Sequence, residues 1–267
     1  AVSPQRGAEA LGRGLAGKKA LVGGGSEGIG LASAQALAAL GADVTLLARR
    51  EATLLAALES LHTSGSQMHG RIVADVNALE PVLEQIRAAG FDMLINNSAG
   101  PAGGALLKAD TNQLLSVFQQ HVLAGQALLQ AVVPHMQANR WGRIVNIIST
   151  SVKEPIPMLG VSNTIRGAMA AWAKTLASEP GADGITVNNV VHGYTQTPRL
   201  DQILKARAAN AGKSVDDIAK GMIASVPAGR FAEAAEVAHA VAFLCLPLSG
   251  YINGINLPVD GGRTKSL

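Results

Sequence analysis

The 267-residue sequence predicts a single α/β domain built on a doubly wound parallel sheet, and three observations carry that prediction. Short apolar runs rich in β-branched residues alternate with longer segments of helical period. Hydrophobic residues make up 48% of the chain and charged residues 15%, enough apolar material for a large core and too much for a disordered chain. Aromatics reach only 3%, so the core has to be assembled from Val, Ile, Leu and Ala, as in a sheet covered by helices on both faces.

Taken in order, residues 1–14 read as a loose arm carrying Pro4 and Gly7, and residues 15–267 as the domain. Strands are expected at 19–22, 43–47, 71–74 and 91–95, each bounded by Gly or Asp. Between them, 29–40, 51–62 and 79–89 place apolar residues three and four apart, the spacing of one helix face. The second half repeats the alternation, with strands at 143–148, 185–191 and 255–259 and helices at 111–139, 159–178 and 233–246. This order implies right-handed crossovers and a ligand crevice beyond the carboxyl ends of the strands. The polar helical stretch 199–226 interrupts the pattern and reads either as a lid over that crevice or as a surface excursion.

Bulk properties narrow the function classes. A net charge of +3 without a dense basic run argues against nucleic acid as a partner. The single Cys245 excludes an internal disulfide and a cysteine-based metal site, and no metal site is expected. No apolar run is long enough to span a bilayer, and the first residues lack the apolar centre of a signal peptide. A cytoplasmic protein acting on a small molecule is the expectation.

The first strand runs into Gly23-Gly24-Gly25-Ser26-Glu27-Gly28-Ile29-Gly30 and then a helix. A pyrophosphate resting on a helix N-terminus needs close backbone approach and gains from the helix dipole. Gly24, Gly28 and Gly30 supply that freedom, and their place between strand and helix marks a Rossmann-type dinucleotide site; a tight turn with no ligand is the competing reading. The second strand ends Ala48-Arg49-Arg50, where an acidic residue would grip the ribose of NAD. Two guanidinium groups instead match the 2′-phosphate of NADP(H), against the alternative of a solvated Arg pair.

These motifs resemble the short-chain dehydrogenase/reductase family over about Leu15 to Gly262. The glycine loop is similar to TGxxxGIG, with Gly23 in the threonine's place. Asp75-Val76 is similar to the pair that holds the adenine, and Asn96-Asn97-Ser98-Ala99-Gly100-Pro101 resembles the NNAG element with one residue more. The resemblance implies cofactor contacts at Gly24, Ser26, Glu27, Gly28, Ile29, Gly30, Arg49, Arg50, Asp75, Val76, Asn97, Ser98, Ala99, Arg166 and Thr197. It also implies a homotetramer or homodimer built partly through the helix containing Trp172.

In that family a Tyr phenol protonates the substrate oxygen, a Lys one turn later lowers the phenol pKa and holds the ribose, a Ser orients the carbonyl, and an Asn anchors a water relay. Aligned on Lys174, the chain keeps the serine as Ser149 but places Ser162 at the Tyr position and Arg166 at the Lys position. His121 stands at the Asn position, and His192 replaces a proline after the sixth strand. A serine is shorter and far less acidic than a phenol, and an arginine does not give up its proton. His121, His192 and Tyr194 are the candidate proton carriers, because a histidine titrates near neutral pH when unperturbed.

Three functions remain open on these residues. The first is an NADP(H)-dependent oxidoreductase for a small carbonyl, alcohol or imine with a rebuilt proton relay; an iminium, which needs hydride but no proton, suits the missing phenol. The others are a lyase or isomerase on the same scaffold, and a nucleotide-binding pseudoenzyme acting as a sensor.

Overall fold

The structure is a computed structural model and describes residues 14–267. Apart from Gly14, the expected N-terminal arm lies outside the described residues. Seven strands form one parallel sheet: β1 (Lys19–Gly23), β2 (Asp43–Ala48), β3 (Gly70–Val73), β4 (Met93–Asn96), β5 (Gly142–Ser149), β6 (Ile185–His192) and β9 (Asn256–Val259). Their order, β3-β2-β1-β4-β5-β6-β9, reverses direction between β1 and β4, which opens a crevice at the carboxyl ends of those two strands.

Helices cover both faces. α1 (Gly28–Ala39) and α9 (Ala234–Cys245) pack on one side, where Ala34, Leu37 and Ala38 meet Val237, Val241 and Ala242. The small alanines let these two helices approach each other and the sheet closely. Cys245 is fully buried here and burial pushes its thiol up to about 12, so it behaves as a small hydrophobe. The opposite face holds α3 (Glu80–Ala89), α5 (Ala124–Ala138) and α6 (Gly160–Ala177), with Ile86, Leu128, Val132, Met136 and Ala173 against Leu21, Leu94 and Ile144. Each Leu, Ile, Val or Met among them contributes about 1.5–3 kcal/mol on withdrawal from water. α2 (Glu51–Glu59) flanks β2 and β3. Among the described residues, no helix is long and apolar enough to cross a membrane.

The expected helix at 111–139 is not continuous. α4 (Thr111–Phe118) passes through a π-turn at Gln119–Leu123 before α5 begins, and His121 sits at the centre of that turn. The stretch expected as one helical run at 199–226 is two helices, α7 (Pro198–Ala211) and α8 (Val215–Ile223), separated by Gly212 at φ 61°. Their base is closed by β7 (Thr195–Gln196) pairing in parallel with β8 (Ala232–Glu233).

Four asparagines cross the sheet in register. Asn96, Asn146, Asn189 and Asn256 are mutual partners on β4, β5, β6 and β9. Each Nδ2 donates to the next Oδ1 at 2.8 Å, from Asn96 through Asn146 and Asn189 to Asn256. The chain satisfies the buried amides of Asn146 and Asn189, whose desolvation would otherwise be costly.

Candidate active site

The crevice is built first by the glycine loop between β1 and α1. Gly24 has φ 56°, a left-handed conformation open to glycine at no cost. A Cβ on Gly30 would lie 2.1 Å from the Gly24 carbonyl oxygen, so only glycine lets the first turn of α1 tuck under the loop. Asn97 packs against both, its Nδ2 reaching the Gly24 carbonyl at 3.5 Å. Glu27, the N-cap of α1, makes no side-chain cap bond, and the first turn carries no acid. The helix therefore presents its N–H groups and positive dipole end without a protein anion upon them. This cradle fits a dinucleotide pyrophosphate.

Arg49 and Arg50 stand exposed beyond the end of β2. Arg50 is 3.6 Å from Glu27, an exposed pair worth little, and Arg49 has no ion pair among the described residues. Both suit an anion at the adenine-side ribose. Asp75 accepts from the Asn77 backbone and side chain at 2.9 and 3.0 Å, which shapes the turn after β3. Val76 lines the same cavity as Asn97 and Ser98. Thr197 caps α7, accepting from the Leu200 N–H at 3.3 Å. Its methyl lies 3.5 Å from where a Gly28 Cβ would stand, so the loop after β6 faces the glycine loop across the crevice.

Deeper in, Ser98, His121 and Arg166 come together. The Ser98 hydroxyl is 2.8 Å from His121 Nδ1, and Arg166 donates to the Ile147 carbonyl at 3.0 Å and, at 3.5 Å, to that of Ser98. Ala99 contributes its carbonyl, which accepts from Gln120 at 2.8 Å. Ser162 lies one turn before Arg166 on α6, half-buried. Ser149 ends β5, and its Oγ accepts from the Ser151 N–H at 3.1 Å, which leaves its single O–H free to donate. His192 is the register partner of Ser149 on β6, so the two side chains share a face of the sheet.

The histidines do not match the expected proton carriers. Burial, aided by the nearby Arg166 charge, pushes His121 down to about 3. Burial takes His192 down to about 4, with Arg166 adding to the shift. Both imidazoles are neutral at pH 7, so neither supplies a titrating acid there. His192 Nδ1 donates to the Gly193 carbonyl at 2.8 Å, which fixes its tautomer. His121 Nε2 is buried without a hydrogen-bond partner among the described residues.

A stability prediction follows with a definite sign. The unfolded chain protonates these imidazoles near 6.5, the folded protein only near 3 and 4. Between those values the unfolded state binds more protons, so stability is full above about pH 6.5 and falls as pH drops below it. Thermal midpoints at pH 7.5 and pH 5 should show that loss, with a shallower slope in His121→Gln. An unchanged midpoint over this range would contradict the neutral assignment.

Tyr194 is a second correction. The turn at Gly193 swings it beneath α7 and α8, where it packs with Leu200, Leu204 and Met222. Its ring meets Phe231 edge-on at 6.2 Å and carries the Arg263 guanidinium at 4.7 Å. It lines a cavity with Arg230 and Asp260 that shares no residue with the one containing His121 and Arg166. Two arginines unremarked in the sequence brace these loops: Arg199 donates to the Pro101 carbonyl at 2.6 Å, and Arg263 to the Thr150 hydroxyl at 3.2 Å. Their only sequence signal is proximity to Thr197 and, for Arg263, to the end of β9.

Comparison with known proteins agrees with this geometry. The enoyl-(acyl carrier protein) reductase family profile matches residues 24–264. The chain is 35% identical over 250 residues to the 3-oxoacyl-(acyl-carrier-protein) reductase FabG of Escherichia coli, covering 92% of this chain and 97% of that one. It is 32% identical over 252 residues to the same-named reductase of Haemophilus influenzae, covering 93% and 98%. The L-sorbose reductase of Gluconobacter frateurii, solved in complex with NADPH and L-sorbose, superposes with a TM-score of 0.90 at 30% identity, over 96% of this chain and 100% of that one. The glycine cradle, the sheet order and these relationships together establish that the chain belongs to the short-chain dehydrogenase/reductase family.

Proposed function

We propose that this chain is an NADP(H)-dependent oxidoreductase that exchanges hydride with a small carbonyl or alcohol, without a side-chain acid at the reacting oxygen. The observation that carries the reading is the glycine cradle at the start of α1, with Arg49 and Arg50 where an NAD enzyme would hold an acid. NADP(H), when bound, supplies or accepts the hydride. Gly24, Ser26, Gly28, Ile29 and Gly30 hold the pyrophosphate, Asp75 and Val76 the adenine, and Thr197 the carboxamide. The NADPH-bound sorbose reductase, similar over the whole domain, supports the same choice of nucleotide.

At the reacting end, Ser149 donates its free O–H to the substrate oxygen. Arg166 holds the ribose and sets a fixed positive charge beside that oxygen, so charge developing there is stabilised without reorganisation. Ser162 is too short and too weakly acidic to replace a phenol, and the proton that completes carbonyl reduction comes from solvent. A cationic iminium does not suit a site whose one fixed charge is positive. α7 and α8 act as a lid, tied down by Arg199 on the Pro101 carbonyl. Assembly as a homodimer or homotetramer uses α6, where Trp172 is held by Gln126 at 2.8 Å.

The test is to mix the protein with NADPH and follow the nicotinamide absorbance against a panel of ketones, oxo acids and aldehydes. Turnover supports the reading; nucleotide binding with no turnover on any of them moves it toward a sensor. Arg49→Asp is expected to weaken NADPH binding about tenfold or more while leaving NADH within about threefold, because one charge-assisted phosphate contact is lost. An equal loss for both nucleotides, measured by titration calorimetry, would place the arginine outside the phosphate site.

A further inference from the structure

Arg166 presents an unsolved charge. Its side chain is buried, and its hydrogen bonds go to one carbonyl at 3.0 Å and a second at 3.5 Å, with no ion pair among the described residues. Arg143 shows how this protein satisfies a buried guanidinium by itself. It bonds three carbonyls, those of Gly142, Gly184 and Leu246, and lies 4.5 Å over the Trp141 ring. Arg166 has neither the third carbonyl nor the ring. A buried charge left without compensation is expensive, and proteins retain one where a ligand completes it.

The carboxylates at this end of the sheet are engaged elsewhere. Asp75 caps Asn77, and Asp260 takes the Gly262 and Thr264 N–H groups and the Thr264 hydroxyl. Glu27 faces Arg50, and Glu154 accepts from the backbone of Lys265 and Ser266. Ribose hydroxyls can occupy guanidinium donors but bring no charge. A second, independent feature lies in the same cavity: the unpartnered His121 Nε2, on a side chain 6% exposed.

Resting on the reductase reading of this site, we infer that the substrate brings the missing negative charge as a carboxylate beside the reacting carbon, making it a small 2-oxo acid or its 2-hydroxy counterpart. One carboxylate oxygen reaches Arg166 while the oxo group faces Ser149. In the reduction, hydride from NADPH bonds to the oxo carbon and the C–O π pair moves to oxygen. That oxygen would take a proton from water, leaving hydroxide to solvent, with NADP⁺ as the oxidised product. The carboxylate is unchanged, so atoms and charge balance.

The test uses 2-oxobutanoate against butanone, which share the ethyl ketone and differ by a carboxylate in place of a methyl group, titrated into the protein by calorimetry with and without NADPH. The oxo acid is expected to bind at least about tenfold tighter in both series. Arg166→Met should erase the preference and Arg166→Lys should retain it, with circular dichroism confirming that both fold. With the unmodified protein, ¹⁵N spectra of the imidazoles should show His121 and His192 titrating at higher pH when oxalate is present. Butanone binding as tightly as the oxo acid, or a preference that survives Arg166→Met, overturns the inference. Because NADPH binding is measured separately, its absence would count against the reductase reading, while the nucleotide-free series still decides the anion preference.

Discussion

Gly30→Ala is expected to cost the protein at least about a hundredfold in NADPH affinity, or about 2–3 kcal/mol. The new methyl would meet the Gly24 carbonyl oxygen at 2.1 Å and Asn97 Nδ2 at 2.8 Å, and the first of these is backbone with nowhere to go. Relief requires the loop and the first turn of α1 to separate, which removes the N–H groups from the place where a pyrophosphate would rest. Gly167→Ala is the matched control, since a Cβ there meets nothing within 4 Å. Calorimetric titration of both variants checks the prediction. Near-normal NADPH binding by Gly30→Ala would mean that the cradle is a structural turn and not a nucleotide site.

The second large effect is expected at Arg166. Replacing it by Met should lower kcat by about 10²–10³, the usual consequence of removing a preorganised donor from a developing oxyanion. Stability should move the other way or stay level, because the lost charge was buried without an acidic partner. The split distinguishes this from a general structural role, which would lower Tm and kcat together. His121 and His192 should also protonate at higher pH in the variant, since Arg166 contributes to holding both down. Unchanged turnover in Arg166→Met, with Tm intact, would remove the guanidinium from the chemistry.

Much of the fold was legible because its signals are local. The strands beginning at Lys19, Asp43 and Ile185 lie within a residue or two of their expected bounds, since β-branched runs between Gly and Asp residues leave little latitude. The fourth strand starts later than expected, at Met93, although the Asp92 backbone before it still bonds Lys19 and Arg143 on the neighbouring strands. The π-turn around His121 was not legible: its residues are helix-compatible, and only packing between α4, α5 and α6 decides how the helix is wound there. The two-residue pair of β7 and β8 is too short to carry any period.

The site divides along the same line. The glycine loop and the ends of β2 and β5 carry their chemistry in consecutive residues, so Gly24, Gly30, Arg49 and Ser149 stand out as candidates in the sequence alone. The states of His121 and His192 depend on burial and on a guanidinium 45 and 26 positions away in the sequence, which no local pattern encodes. Tyr194 is a candidate proton carrier by sequence, yet one turn at Gly193 commits it to the apolar cluster with Phe231 and Met222.

The most direct measurement is a calorimetric titration of the unmodified chain with NADPH and with NADH under identical salt. The phosphate-reading arginines predict that NADPH binds at least about tenfold tighter, with the difference shrinking as ionic strength rises. NADH binding as tightly as NADPH, or neither nucleotide binding at all, would contradict the account.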